Sequence, residues 1–319
     1  MTKTAERTFY AKLMLFGEYA ILLGSKALSI PYHHFSARLR FLDHLGNHAE
    51  DARISNQRIR ELADFFLKNT GLFEDFLDLP AISSDVDQGL FLDSTIPQGY
   101  GLGSSGALCA ALYDKYALEP IIPGIDIDKE KLKSLKTKLA SMESLFHGRS
   151  SGFDPCSCFI QKALCVDEHK NLFVPEIGRN SLIDKGKLFL IDTGSTEKTS
   201  PLVKAFLHEF LIEGNTTEAG TEFCRLNNEC IDAILTGDPE VFYQTMAPLS
   251  AFQLSHLEYM IPEKMRGLWK FGLENGSFSL KLCGSGGGGF LMGFTAEPHM
   301  VYPLIQEKGF KIIAVFDIS

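Results

Sequence analysis

The sequence predicts an α+β protein of two domains. Short apolar, strand-like runs are separated by amphipathic helical patterns, and one pair of runs is joined as a hairpin. Between Asn171 and Lys187 a cluster of Pro, Gly, Asn and charged residues marks a boundary, giving domains over 1–178 and 179–319. The 319 residues suffice for one large domain or two ordinary ones, and with 45% of them hydrophobic and 22% charged the chain is able to bury a full core.

In order, Lys12–Phe16 and Ala27–Ile30 are apolar stretches flanking a Gly-Glu-Tyr turn, and Phe35–Phe41 alternates as a half-buried strand does. Arg58–Lys68 reads as a helix, Gly89–Leu92 as a short strand and Ser104–Leu118 as a helix. Glu119–Asp128 is a connection rich in Pro, Gly and Asp. From Lys129, Leu132, Leu135, Leu139, Met142 and Phe146 recur at helical spacing with lysines opposite, and Gly148 ends that helix. Cys158–Val166 returns to strand-like character. The remainder predicts strands at Leu188–Ile191, Ser279–Cys283, Phe290–Phe294 and Lys311–Phe316. Helices are predicted at Pro201–Phe210, Thr216–Leu235, Glu240–Ser250, Glu263–Glu274 and Pro298–Lys308.

A net charge of −9 argues against a nucleic-acid or membrane-surface binder, so an anionic ligand must be met by a few placed cations. No apolar run approaches the ~20 residues of a membrane span. Charges interrupt the first twenty residues, unlike a signal peptide. Seven cysteines form no CxxC pair, and Cys156, Cys158 and Cys165 fit no common zinc spacing. They read as buried, reduced thiols of a cytoplasmic protein.

Pro97–Gly106 (PQGYGLGSSG) is the segment richest in chemistry. Spaced glycines allow positive φ and close approach of a ligand to backbone amides, and the helix that follows adds unpaired N–H groups and a dipole. Gly101, Gly103, Ser104, Ser105 and Gly106 thus form a candidate phosphate cradle. Gly101-x-Gly103-x-x-Gly106 also matches the dinucleotide fingerprint, but it lies near position 100 and a turn-rich linker stands where the acidic residue belongs. An NAD(P) oxidoreductase rests on that match alone. No Walker A pattern occurs. Ser104 reads equally as an N-cap, worth about 1 kcal/mol, whereas Ser105, one step inside the helix, suits a Mg²⁺ ligand.

Glu143 lies in the last turn of its helix, where an acid opposes the dipole and needs a metal or a basic neighbour; the plain alternative is a solvated glutamate. Asp154 precedes Pro155 at the entrance to the predicted strand, a position common in turns. His147 reads as an exposed cation favoured by the dipole, and Arg149 as a phosphate contact or a surface residue. Gly284–Gly289, within Lys281-Leu-Cys-Gly-Ser-Gly-Gly-Gly-Gly, is longer than a hairpin turn requires, which points to close backbone approach.

Lys12–Leu22, Ser94–Gly106 and Leu282–Gly289, taken together and in this order, resemble the three motifs of the GHMP kinases. The resemblance spans Ala11 to about Phe294. His147-Gly-x-x-Ser151-Gly-x-Asp154 with Glu143, and Thr193–Thr199, are most similar to that family's mevalonate kinases. The resemblance implies a two-domain fold, with an N-terminal ribosomal-protein-S5-like domain and a C-terminal ferredoxin-like sandwich. It implies transfer of phosphate from ATP to a small-molecule hydroxyl, mevalonate first and phosphomevalonate as the near rival. Ser105 and Glu143 would hold Mg²⁺, Asp154 would take the proton of the attacking hydroxyl beside Lys12, and Glu18, Tyr19, Lys198 and Gly286 would lie near the substrate. The reading carries no nucleic-acid or membrane partner and leaves a homodimer open. A non-catalytic nucleotide-binding protein is the alternative of another class.

Three residues depart from the resembled pattern. Tyr19 stands where mevalonate kinases usually carry histidine, in a Gly-Glu-Tyr-Ala-Ile-Leu run more like phosphomevalonate kinases. Ser150 replaces the usual proline, and Lys198 stands where arginine is expected, losing bidentate recognition of a carboxylate.

Overall fold

The computed structural model describes residues 7–42, 49–123, 127–148, 150–177, 183–195 and 199–316, with backbone alone at 49, 147, 199 and 200. Compact packing groups the chain into two units. One comprises Met1–Lys12, Ile30–Pro97 and Gly103–Lys162; the other comprises Leu13–Ser29, Gln98–Leu102 and Ala163–Ser319. Along the chain, two strands and the glycine loop are each divided between these units.

In the first unit, the long strand β2 (Ala27–Phe41) pairs antiparallel with β3 (Leu90–Ser94) through Ala37↔Ser94 to Phe41↔Leu90. The predicted stretches Ala27–Ile30 and Phe35–Phe41 are therefore one continuous strand. Helix α1 (Ala49–Lys68) packs on β3, and α2 (Leu79–Asp87) packs on α1. Helix α2 is absent from the sequence reading. Asp78 caps it by accepting from the Ala81 amide, and a proline sits in its first turn. Nearly every side of α3 (Ser104–Tyr116) is buried, because α4 (Lys129–His147) and α5 (Phe153–Ile160) both pack on it. Leu132, Leu135, Leu139 and Met142 of α4 are buried as their spacing predicts, but Phe146 ends 36% exposed.

Helix α5 corrects the strand expected over Cys158–Val166; only Leu164–Val166 (β4) is extended. Gly152 takes a left-handed conformation as its N-cap and Pro155 falls in its first turn, where a missing N–H is harmless. Asp154 therefore stands in the first turn of a helix and not at the mouth of a strand.

In the second unit, β4 pairs with Ala27–Ser29 of β2 and with β5 (Leu172–Phe173). A four-stranded antiparallel sheet is formed by β6 (Leu188–Asp192), β9 (Ser279–Leu282), β10 (Phe290–Phe294) and β11 (Ile312–Ala314) in the order β11-β6-β10-β9. Counting these strands alone, the order is fourth-first-third-second, the arrangement of a ferredoxin-like unit. Between β6 and β9 run α6 (Thr199–Phe210), the small hairpin β7 (Leu211–Ile212) and β8 (Asn215–Thr216), then α7 (Glu218–Thr236), α8 (Pro239–His256) and α9 (Glu263–Asn275). α10 (Pro298–Glu307) precedes β11. In β10, a methyl on Gly293 would come within 2.2 Å of the ring of its cross-strand partner Phe189, so glycine is what lets that ring cover the sheet.

All seven cysteines are free, and all but Cys224 are buried. Burial pushes the Cys165 and Cys230 thiols up to about 12 and holds Cys109, Cys156 and Cys158 well above the usual thiol range. Thiolate is the reactive form. At pH 8 the native protein is expected to release at most one equivalent of chromophore rapidly from a disulfide thiol reagent, that of Cys224, and all seven after denaturation. Rapid reaction of three or more thiols in the native state would contradict the burial. No described helix is long and apolar enough to cross a membrane.

Candidate active site

Lys12 lies on the face of β1 (Phe9–Phe16) that carries the half-buried Tyr10 and Met14, yet it is itself buried, and a buried lysine requires a partner. Its Nζ lies 2.8 Å from Asp154 Oδ1, with side-chain exposures of 3% for the lysine and 35% for the aspartate. Helix α5 presents that carboxylate from its first turn. Two glycines of the 97–106 loop allow this packing. A methyl on Gly103 would meet Lys12 Cγ at 2.9 Å and Cys158 Sγ at 3.2 Å. One on Gly106 would meet the Pro155 nitrogen at 2.9 Å and the Asp154 carbonyl carbon at 3.0 Å, so α3 and α5 touch backbone to backbone at the aspartate.

Gly103, at φ 79°, is the N-cap of α3 and supplies no side-chain cap. Ser104 is the first helical residue, which removes its reading as an N-cap. The first turn of α3 thus meets its surroundings through backbone amides and the positive end of the helix dipole. Ser105 donates to Glu143 Oε1 at 2.9 Å. Glu143 is 3% exposed, so the solvated-glutamate alternative fails. Lys12, Gly103–Gly106, Glu143 and Asp154 therefore form one group on one unit.

A second group belongs to the other unit. Gly101 and Gly284 are pressed together: a methyl on Gly101 would lie 2.6 Å from the Gly284 Cα, and one on Gly284 would lie 2.8 Å from the Gly101 Cα. The close backbone approach expected of the Gly284–Gly289 run is this contact with the first glycine loop. Gly286, at φ 70°, sits against Met260, whose carbonyl accepts from the Gly287 amide at 2.6 Å. Glu18 is buried with both carboxylate oxygens 2.8 Å from Lys281 Nζ, and that ammonium also donates to the Leu282 carbonyl at 2.6 Å. Tyr19 has φ 62°, an outlier for so large a side chain. Its hydroxyl donates to the Ser285 carbonyl at 2.5 Å and its ring packs on Phe206. Burial raises the Tyr19 phenol far above its ordinary value, so it remains a donor at any working pH.

Sequence reasoning missed Lys281 as the partner of Glu18, because the two lie 263 residues apart. It also passed over the hydroxyl of Ser150, whose only sequence signal is its departure from proline. Lys198 and Arg149 lie outside the described residues, as does the side chain of His147. Asn56 donates to the carbonyls of Val86 and Leu90.

Among the described residues no group of three or more His, Cys, Asp or Glu side chains could hold a metal. One carboxylate and one hydroxyl still suit Mg²⁺, which keeps several waters and takes further oxygens from phosphates. The Ser105–Glu143 pair is a donor set of that kind.

Residues 58–162 match the family model of the GHMP kinases N terminal domain. The chain thus carries a GHMP kinase N-terminal domain in a GHMP kinase fold, the architecture of a family of small-molecule kinases. The mevalonate kinase of Methanococcus jannaschii is 18% identical at a TM-score of 0.62, with 98% of each chain covered. The phosphomevalonate kinase of Streptococcus pneumoniae, in complex with phosphomevalonate and AMPPNP, is 16% identical at 0.59, covering 97% of this chain and 98% of that one. The galactokinase of Lactococcus lactis, complexed with galactose, is 12% identical at 0.54, covering 97% and 93%. At such identities these structures establish the fold alone. No curated protein matches the sequence.

Proposed function

We propose that the protein transfers the terminal phosphoryl group of ATP to the hydroxyl of a small molecule, with mevalonate as the acceptor and 5-phosphomevalonate as the product. The observation that carries this reading is the convergence of two pairs, Lys12–Asp154 and Ser105–Glu143, on the glycine-opened N-terminus of α3.

Phosphoryl transfer needs positioning, neutralisation of charge and a base beside the nucleophile. Asp154, the more exposed member of its pair, takes the acceptor's hydroxyl proton. Lys12 holds the aspartate in place and brings positive charge toward the phosphoryl group. The amides of the first turn of α3, with Gly101 and Gly103, cradle the phosphates. Ser105 and Glu143 would hold Mg²⁺, which neutralises phosphate charge when bound. Glu18, Tyr19, Lys198 and Gly286 belong to the acceptor side.

Phosphomevalonate is the second reading, favoured by Tyr19. A histidine there could meet the acceptor, whereas the tyrosine hydroxyl is already given to Ser285.

The decisive measurement is ADP release by the purified protein with ATP and Mg²⁺ across a panel of acceptors. Mevalonate is expected to give turnover well above the others. Turnover with 5-phosphomevalonate alone would shift the assignment to the second reading. Silence with every mevalonate derivative, sugar and polyol would remove the kinase reading altogether.

A further inference from the structure

The turn between α4 and α5 contains a polar contact that the mechanism above does not use. Ser150 donates its hydroxyl to Glu143 Oε2, and the same hydroxyl accepts from the Gly152 amide at 3.0 Å. The other carboxylate oxygen, Oε1, accepts from Ser105 at 2.9 Å. The Glu143 carboxylate is thus shared between two hydroxyls, one on each oxygen, in a residue only 3% exposed. Each oxygen is held by a protein hydroxyl.

The turn itself is pinned to α4. Gly152 has φ 73°, and a methyl there would come within 2.3 Å of the Lys136 carbonyl oxygen, about two turns before Glu143. Two residues beyond Gly152 stands Asp154. The Ser150 hydroxyl therefore closes a short circuit running from Glu143 on α4, through the turn, to the base on α5.

Resting on the reading that Ser105 and Glu143 hold a divalent cation, we propose that Ser150 is a positioning residue of that site. By holding Oε2 it keeps Oε1 turned toward Ser105, and through Gly152 it ties the metal-binding carboxylate to the segment that presents Asp154. A proline at 150, as in the kinases the sequence resembles, has no hydroxyl to do this. Partners of a metal ligand that lie outside the coordination sphere commonly contribute about 10–100-fold to metal affinity.

The test uses the full chain, ADP, and Mn²⁺ as a spectroscopic probe, with bound Mn²⁺ read by electron paramagnetic resonance. Ser150→Ala is expected to weaken Mn²⁺ binding to the protein–ADP complex about tenfold. Ser150→Cys, which keeps the volume but is a weak donor, is expected to follow it. Ser150→Thr, which keeps the hydroxyl, is expected to stay within about threefold of the parent. ADP affinity measured in EDTA is expected to be the same in all four proteins, a result that a merely structural role would not give. The inference is overturned if Ser150→Ala binds Mn²⁺ like the parent, or if Ser150→Thr loses as much as Ser150→Ala. If the parent itself adds nothing to the Mn²⁺ affinity of ADP in solution, the metal reading fails first and this inference falls with it.

Discussion

Asp154→Asn is expected to lower turnover by about 10²–10⁴-fold, the range that a positioned general base contributes, while ADP still binds with near-parental affinity. Asparagine keeps the size of the side chain and leaves an oxygen facing the Lys12 ammonium, now 2.8 Å from Asp154 Oδ1. What it removes is the capacity to take a proton. The contact between Gly106 and the backbone of Asp154 and Pro155 is untouched, so α3 and α5 remain packed. Steady-state ADP release with the best acceptor gives the activity, and calorimetric titration with ADP checks that the cradle survives. A loss below tenfold would mean that Asp154 is not the base. A parallel loss of ADP affinity would mean that it shapes the phosphate cradle instead.

Much of this group was legible in the sequence because its signals are local. Glycines at 101 and 103 followed by the pair Ser104-Ser105 and Gly106 announce a loop running into a helix. The leucine spacing of α4 and its stop at Gly148, which has φ 70°, fix the helix that carries Glu143. The setting of Asp154 was not legible: cysteines, phenylalanine and isoleucine after a proline suit a buried strand and a buried helix equally well. The choice is made by Gly152, whose left-handed conformation depends on its seat against Lys136 and Ala140. Ser104 illustrates the same limit, since a serine at a helix start suggests a cap until Gly103 is found to occupy that position. Pairings between distant segments leave no periodic trace at all. Gly101 with Gly284 could be expected only as an unspecified close approach, and Glu18 with Lys281 could not be expected.

Lys281→Met is expected to destabilise the protein by about 3–5 kcal/mol, the usual cost of leaving one member of a buried ion pair behind. The exposures of the two side chains are 1% for Lys281 and 5% for Glu18, so water cannot replace the lost ammonium. Both oxygens of Glu18 would lose their contact at 2.8 Å, and the Leu282 carbonyl would lose its donor. Glu18 has little room to retreat. It follows Gly17, where φ is 116° and a methyl would lie 2.5 Å from the Ala27 Cβ. Glu18→Gln should also destabilise, because it strands the lysine charge. The double variant Glu18→Leu/Lys281→Met is expected to recover most of the loss, as apolar replacements of buried pairs often do. Denaturant unfolding of the parent, the singles and the double measures these differences, and strictly additive losses would show that the pair is not coupled. The same double variant tests what Glu18 does for the acceptor. If it recovers stability and also keeps its acceptor KM, Glu18 serves only to fasten the turn after β1 to β9. If stability returns while KM rises tenfold or more, the carboxylate meets the acceptor directly and Lys281 is the counter-ion that keeps it there.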